Sequence, residues 1–477
     1  MSPHLPAALL REFRDIVGPS GMVQASDSIA GFLTEWRGLY QGKAPLALLP
    51  GSTAEAAAVV ALCAREGIGM VPQGGNTGLV GGAVARASVE RIEVILSSRR
   101  LRTVRALDPD NDTLTAESGC VLAELQAAAA SVDRLFPLSL AAEGSCQLGG
   151  NLSTNAGGTN VLRYGNTREL VLGIEVVLPD GQIFDGLRGL RKDNTGYALR
   201  QLFVGAEGTL GFITAATCRL FPRPRSVATA WVAVADPQAA ITLYSAARDE
   251  LGEVLTAFEL ISRFSLELVL AAQPEVRDPL DSPAAWYVLL ETGGAEFQSR
   301  AEERLERFLE GQLRTAVVSD GVTARSTAQR NALWALRHQV SDAQKMAGAS
   351  IKNDVAVPVS AVPALIRDAS AAVVALVPGT RVVAFGHIGD GNIHFNLTQP
   401  AGMPAEQFLA QWQRLTAAVN EVVQGLGGTF SAEHGIGLLK TAELERYRGG
   451  VELELMRRVK RAIDPANLMN PGKLFGD

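Results

Sequence analysis

The chain has 477 residues, 44 Lys and Arg against 50 Asp and Glu for a formal charge of −6, with 47% hydrophobic and 20% charged residues. Such a length suggests two or three domains around ordinary cores, and so small a negative charge excludes a general nucleic-acid or anionic-membrane surface. Four cysteines (Cys63, Cys120, Cys146, Cys218) with no CxxC pair make neither a disulfide framework nor a thiolate zinc site, and the expected setting is reducing and cytoplasmic.

The opening run, residues 1–17, carries Arg11, Glu12, Arg14 and Asp15 where a secretion signal needs an apolar core, and reads as an amphipathic helix. No window of 18 apolar residues follows, so no membrane span is expected. From residue 46 to 221, β-like runs (47–49, 94–96, 172–178) alternate with helix-like runs (54–66, 122–130) and Gly/Asn/Thr loops, the pattern of an α/β domain. The FPRPR stretch at 221–225 reads as a stiff connection and a domain boundary. Beyond it, β-like runs (227–234, 254–260, 286–291) interleave with helix-like runs (237–250, 301–310, 328–346) and end in a hairpin at 387–397, which predicts an α+β domain on a mainly antiparallel sheet. The run 328–346 places Arg337 and Ser341 at i and i+4, on one helix face, with Lys352 soon after. Residues 442–464 read as one further helix, ended by Asp464-Pro465.

Glycine is concentrated: six of the fourteen residues from Gly69 to Gly82 are Gly. Closely spaced glycines let successive N–H groups converge on one concavity, a nest for phosphate that needs no cation. The loop at 142–158, AEGSCQLGGNLSTNAGG, repeats that chemistry and adds Ser145, Asn151, Thr154 and Asn155. Neither loop has the GxGxxG or GxxxxGK[ST] pattern, which argues against a nicotinamide-dinucleotide or nucleoside-triphosphate site.

Residues 382–397, VVAFGHIGDGNIHFNL, set two apolar runs around Asp390-Gly391, the favoured dipeptide of a two-residue type I′ turn. Counting outward pairs His387 with His394, close enough for two imidazoles to share a divalent metal, with Asn396 facing the same way. Glu433 and His434, in SAEHGIG, offer a third ligand, and spacing does not decide between them.

Together these segments resemble the FAD-linked oxidoreductases of the vanillyl-alcohol oxidase / p-cresol methylhydroxylase type, most closely the D-2-hydroxyacid dehydrogenase branch and its D-2-hydroxyglutarate dehydrogenases. The resemblance rests on PQGGNTGLVGG (72–82), GSCQLGGNLSTNAGG (144–158), LRYGN (162–166), KDNTGY (192–197), GAEGTLGFIT (205–214), GHIGDGNIHFN (386–396), AEHGIG (432–437) and NPGKLF (470–475). It implies an α+β protein: a PCMH-type FAD-binding domain (1–225, core about 42–223), an antiparallel-sheet substrate or cap domain with the metal-binding hairpin (226–430), and a C-terminal segment (431–477) returning to the FAD domain. Non-covalent FAD would then be cradled by Pro72, Gly74, Gly75, Asn76, Thr77, Gly78, Gly81 and Gly82, by Pro137, and by Gly144, Ser145, Gly149, Asn151, Thr154 and Gly157. Glu207, Gly208, Gly211, Ile213 and Asn470 would lie along the flavin. The family's metal ligands, for zinc or manganese, fall on His387, His394 and Glu433, its catalytic base on His434, and its substrate contacts on Arg337, Ser341, Lys352 and Asn396.

The implied reaction is oxidation of a D-2-hydroxy acid to its 2-oxo acid. Two cations besides the metal favour a dicarboxylate, D-2-hydroxyglutarate, over D-lactate or glycolate. A non-catalytic flavin-binding subunit of a larger oxidase is the rival of another class. The expected partners are the small-molecule substrate and an electron acceptor such as an electron-transfer flavoprotein or a quinone, with no nucleic acid; a homodimer is the assembly considered.

Overall fold

The computed structural model describes residues 5–24, 26–86 and 91–476, so the first four residues of the amphipathic N-terminal run lie outside it. From Ala7 to Val17 that run is a helix burying Leu9, Phe13 and Val17. The described residues form two compact units. The first comprises Met1–Gly157, Gly165–Arg223 and Glu433–Asp477, and the second Gly158–Tyr164 and Pro224–Ala432.

In the first unit, a four-stranded sheet runs in the order Met22–Val23, Ala47–Leu48, Glu93–Ser97, Gly69–Gln73, the last three strands parallel. The helix Thr53–Glu66 supplies the crossover. Ser52 Oγ caps it by accepting from the Glu55 amide, left-handed Gly67 ends it, and it buries Ala56, Val59, Val60, Leu62 and Cys63. A five-stranded antiparallel sheet follows in the order Val104–Asp108, Thr113–Glu117, Phe212–Arg219, Val171–Val177, Ile183–Gly186. Late in the chain, the Met70 amide donates to Leu468 O at 2.7 Å and the Asn470 amide to Met70 O at 2.7 Å. Leu468 and Met469 thereby join the apolar core beneath the first sheet.

The second unit is built on an eight-stranded sheet, antiparallel throughout, in which Ser226–Val234 pairs with Trp286–Gly294, and Trp286–Gly294 with Leu255–Ser262. Alternation sends Phe258 and Leu260 to one apolar cluster and Ile261 to another, so both faces of the sheet are covered and no face is left for solvent. The helix Val359–Leu376 is apolar enough by length and composition to cross a membrane. It carries the Arg367–Asp368 pair mid-way, and Val362, Leu365, Ile366, Ala369 and Val373 pack into the first of those clusters.

Three expectations are corrected. Residues 328–346 form two helices, Thr327–His338 and Val340–Met346, so Arg337 and Ser341 do not belong to one helix; Arg337 is buried and Ser341 exposed. Residues 442–464 are likewise divided, into Thr441–Tyr447 and Val451–Ile463, by Gly449 and left-handed Gly450. The hairpin register also differs, because Phe385, not His387, pairs with His394. A type I′ turn needs positive φ at both central residues, whereas Ile388–Asp390 is a 3₁₀ turn and Gly391 alone is left-handed, at φ 82°.

Gly391 is also where a side chain has no room, since a Cβ there would lie 2.0 Å from Val357 O. Gly391→Ala is expected to cost about 1–3 kcal/mol, read as an earlier urea midpoint. Gly402→Ala, at φ +79° with nothing within 4 Å, should cost less, and equal shifts would refute the steric account.

Candidate active site

In the first unit the absence of side chains brings the two glycine loops together. A Cβ on Gly75 would lie 2.2 Å from Ser145 O, and one on Gly74 3.4 Å from the Gly150 amide. Asn76 beside them is left-handed at φ 55°, and its Nδ2 donates to Thr34 O at 2.9 Å. Gly78 and Gly144 have open space where a Cβ would sit, Thr77 lies between the glycines, and Gly81 packs against Tyr40. Gly149, on Ser118, and Asn151 belong to the short helix Leu148–Ser153, which Thr154 caps; Ser145 Oγ turns back to Ala142 O. Pro137 is buried, and Gly157 ends the first span of the unit. Burial pushes the Cys146 thiol up in this second loop, the state of an inert thiol.

Glu207 and Asn470 organise the other wall. Glu207 has a left-handed backbone at φ 51°, and its buried carboxylate accepts the Ile436 and Gly437 amides at 2.7 Å each. Burial raises its pKa while the two amides oppose the shift. Glu433 and His434 stand just ahead of those amides in the chain. Asn470 Nδ2 donates to Gly82 O at 2.9 Å and to Glu207 O at 2.7 Å, while its buried Oδ1 has no hydrogen-bond partner among the described residues. Gly208 abuts Pro72, and Gly211 abuts Val176, beside which Ile213 pairs in the sheet. A glycine-built cradle with an unsatisfied buried acceptor fits a large polar cofactor with N–H edges.

In the second unit three strands and the turn that follows a fourth contribute one side chain each to one region of the sheet. Leu260 pairs with Gly386, so one step along the ladder Glu259 meets His387: Nδ1 to Oε1 is 2.6 Å. On the next strand His394 pairs with Asp354, Nδ1 to Oδ1 being 3.5 Å. The two imidazoles stand edge to face with centroids 5.6 Å apart and a ligand nitrogen of each within 4.8 Å of the other. The register is not the one counted from the turn, yet the rings meet because His387 lies two residues beyond Phe385, on the same side. Burial lowers the His394 pKa, which keeps the ring neutral as a metal ligand must be. With a carboxylate behind each Nδ1, both rings fit a divalent cation at the other nitrogen.

Arg337 reaches this region from its helix: Nε donates to Glu259 Oε2 at 2.6 Å, and the guanidinium lies 4.7 Å from the Phe385 ring centroid. Lys352 Nζ donates to Gln344 Oε1, which also accepts from Asn396 Nδ2 at 3.1 Å. Arg337, Asn396, His387 and His394 are thus gathered on one face of the sheet and Lys352 is tied to them through Gln344, whereas Ser341 is exposed.

Glu259, Asp354 and Gln344 are site residues that motif reading missed. Burial would raise the Glu259 carboxyl, but its interactions with His387 and Arg337, both hydrogen-bonded to it, outweigh burial and hold it down to about 2. One usable signal existed: a lone acid inside LTAFELIS, a strand apolar on both faces, must have a partner.

The chain matches two protein families, FAD linked oxidases, C-terminal domain, over residues 223–474, and FAD binding domain over residues 44–186. It is 38% identical over 464 residues, covering 97% of this chain and 81% of the relative, to a probable mitochondrial D-2-hydroxyglutarate dehydrogenase of Oryza sativa subsp. japonica. It is 36% identical to a D-2-hydroxyglutarate dehydrogenase of Stutzerimonas stutzeri, over 98% of this chain and 99% of that one. Among solved structures, p-cresol methylhydroxylase with substrate bound superposes with a TM-score of 0.75 at 17% identity, covering 98% of this chain and 96% of that one, a likeness of fold.

The wall formed by Glu207 and Asn470 is anchored by Lys460, whose buried Nζ donates to Asp464 Oδ2 at 2.6 Å and to Thr209 O and Met469 O at 2.8 Å. Lys460→Met strands the Asp464 charge and is expected to cost about 3–5 kcal/mol in a denaturant melt. A loss under about 1 kcal/mol, the range of an exposed pair, would show that the pair is not an anchor.

Proposed function

The chain belongs to the FAD linked oxidase family, and we propose that it oxidises D-2-hydroxyglutarate to 2-oxoglutarate, with non-covalent FAD in the first unit and a zinc or manganese ion held by His387, His394 and Glu433. The observation that carries this reading is near full-length similarity to dehydrogenases of that name, joined to a cluster of two histidines and cations on one sheet face.

Bound FAD supplies the acceptor for the hydride that leaves the substrate's Cα. A bound divalent metal supplies Lewis-acid polarisation of the α-hydroxyl and the adjacent carboxylate. His387 and His394 turn Nδ1 towards carboxylates, which leaves Nε2 of each as the ligand atom. His434 takes the hydroxyl proton, a role suited to imidazole near neutral pH. Arg337 uses Nε on Glu259 and keeps its terminal N–H groups for a carboxylate. Lys352, oriented by Gln344, is the second cation for the distal carboxylate, the group that D-lactate lacks. Oxidation removes two electrons from the substrate, so an external acceptor, an electron-transfer flavoprotein or a quinone, must reoxidise the flavin.

The test follows flavin absorbance anaerobically with D-2-hydroxyglutarate, its L-enantiomer and D-lactate, in chelator-treated and metal-restored protein. Metal-dependent bleaching, fastest with D-2-hydroxyglutarate, is expected. Bleaching chiefly by D-lactate overturns the dicarboxylate assignment, and none with any acid favours a passive flavin-binding subunit. Lys352→Ala should lower hydroxyglutarate turnover more than tenfold, from a loss of about 2–5 kcal/mol, and spare D-lactate. Acid precipitation should release the flavin into the supernatant; colour retained in the pellet would overturn non-covalent binding.

A further inference from the structure

We infer that Glu259 is a positioning residue that couples the metal side of the site to its substrate side, one carboxylate fixing the His387 ring and the Arg337 guanidinium at once. The inference rests on the metal and dicarboxylate reading above and adds to it a residue that touches neither group.

Glu259 is 1% exposed and sits mid-strand in a sheet covered on both faces, so its orientation is set by the strand rather than by a mobile loop. Its two oxygens are divided between the two partners: Oε1 lies 2.6 Å from His387 Nδ1 and Oε2 2.6 Å from Arg337 Nε. An ionised carboxylate only accepts, so His387 carries a proton on Nδ1, and in the neutral ring that metal ligation requires Nε2 is then bare. The same carboxylate fixes the plane of a guanidinium already stacked on Phe385. A second buried carboxylate, Glu291, offers an internal comparison. It accepts from Arg330 Nε at 2.8 Å, Trp334 Nε1 at 2.7 Å and Thr229 Oγ1 at 2.8 Å, anchoring the same helix, Thr327–His338, with no histidine among these partners.

Glutamine cannot replace Glu259 without breaking one arm. With its oxygen towards Arg337, its NH₂ faces Nδ1 and favours the tautomer with a protonated Nε2, which cannot ligate. With its oxygen towards His387, its NH₂ opposes the Arg337 Nε–H, donor against donor. Glu259→Gln should therefore impair metal binding and substrate binding together, while Glu291→Gln should only lower stability.

The decisive experiment measures zinc retained by the purified FAD-loaded protein across a chelator series, with the d–d spectrum of the cobalt(II)-substituted protein as a second readout. Glu259→Gln is expected to weaken metal binding about 10–100-fold and to shift the cobalt spectrum. With metal restored to saturation, its KM for D-2-hydroxyglutarate should rise on the order of tenfold, more than its kcat falls. Glu259→Asp keeps the charge and loses one methylene, so it reaches one partner at most; it is expected to fold and to show an intermediate loss, which keeps the test decisive if the glutamine variant does not fold. Zinc retention in both Glu259 variants equal to wild type would overturn the inference while leaving the metal reading intact. So would loss of retention in Glu291→Gln to the same extent, because helix anchoring would then explain both. Wild-type protein that takes up no zinc would overturn the metal reading and this inference with it.

Discussion

A carboxylate removed from water is costly unless each oxygen finds a donor, and both units are organised around carboxylates that meet this condition. Glu207 accepts two backbone amides of the segment that follows Glu433 and His434. Glu259 accepts one imidazole and one guanidinium. Asp464 accepts Lys460 and the Leu468 and Met469 amides, at 3.0 and 2.8 Å. In each case the carboxylate joins pieces of chain, so the charge that is expensive to bury specifies which pieces meet. Weaker, water-satisfied contacts would not fix catalytic side chains to the tolerance that such chemistry requires.

The two units solve the placement problem differently. In the first, the cradle is mostly backbone: glycines admit close loop contact at Gly75 and Gly208, and the polar groups on offer are amides and carbonyls with no net charge. Such a surface can hold a pyrophosphate without cations, consistent with an acidic chain. In the second, the chemistry is carried by side chains on neighbouring strands, where the 2-residue period fixes the face each one takes. Three strands and the residue just past a fourth yield the sequence carboxylate, imidazole, imidazole, carboxylate from Glu259 to Asp354, and each imidazole thereby has a carboxylate on its far side.

Much of this was legible in the sequence. The glycine loops, the strand and helix types and the proximity of His387 to His394 follow from local composition and from the Asp390-Gly391 reversal. The register was not legible, because the dipeptide signals a turn without showing that Asp390 stays right-handed. Nor was the break after His338, for which the chain offers neither Gly nor Pro: Gln339 separates the helices at φ −82°, ψ −7°, a geometry any residue adopts. Arg337 and Ser341, read as one helix, therefore belong to two. Glu259 and Asp354 escaped motif reading because each is a single acid whose partners are remote: Glu259 lies 128 residues from His387 in the chain.

That remoteness has a physical consequence for how such a site tolerates change. His387 and His394 depend on one local reversal, which glycine at 391 makes sterically feasible, whereas Glu259 depends on the strand order of the whole sheet. Any alteration that slipped Leu255–Ser262 by one residue would turn Glu259 to the opposite face, into the apolar cluster containing Phe258 and Leu260 and away from His387 and Arg337. The energetic penalty of that unpaired charge opposes the slip. The carboxylate that orients the site therefore also guards the register that places it, and the two functions cannot be separated by substitution at that position alone.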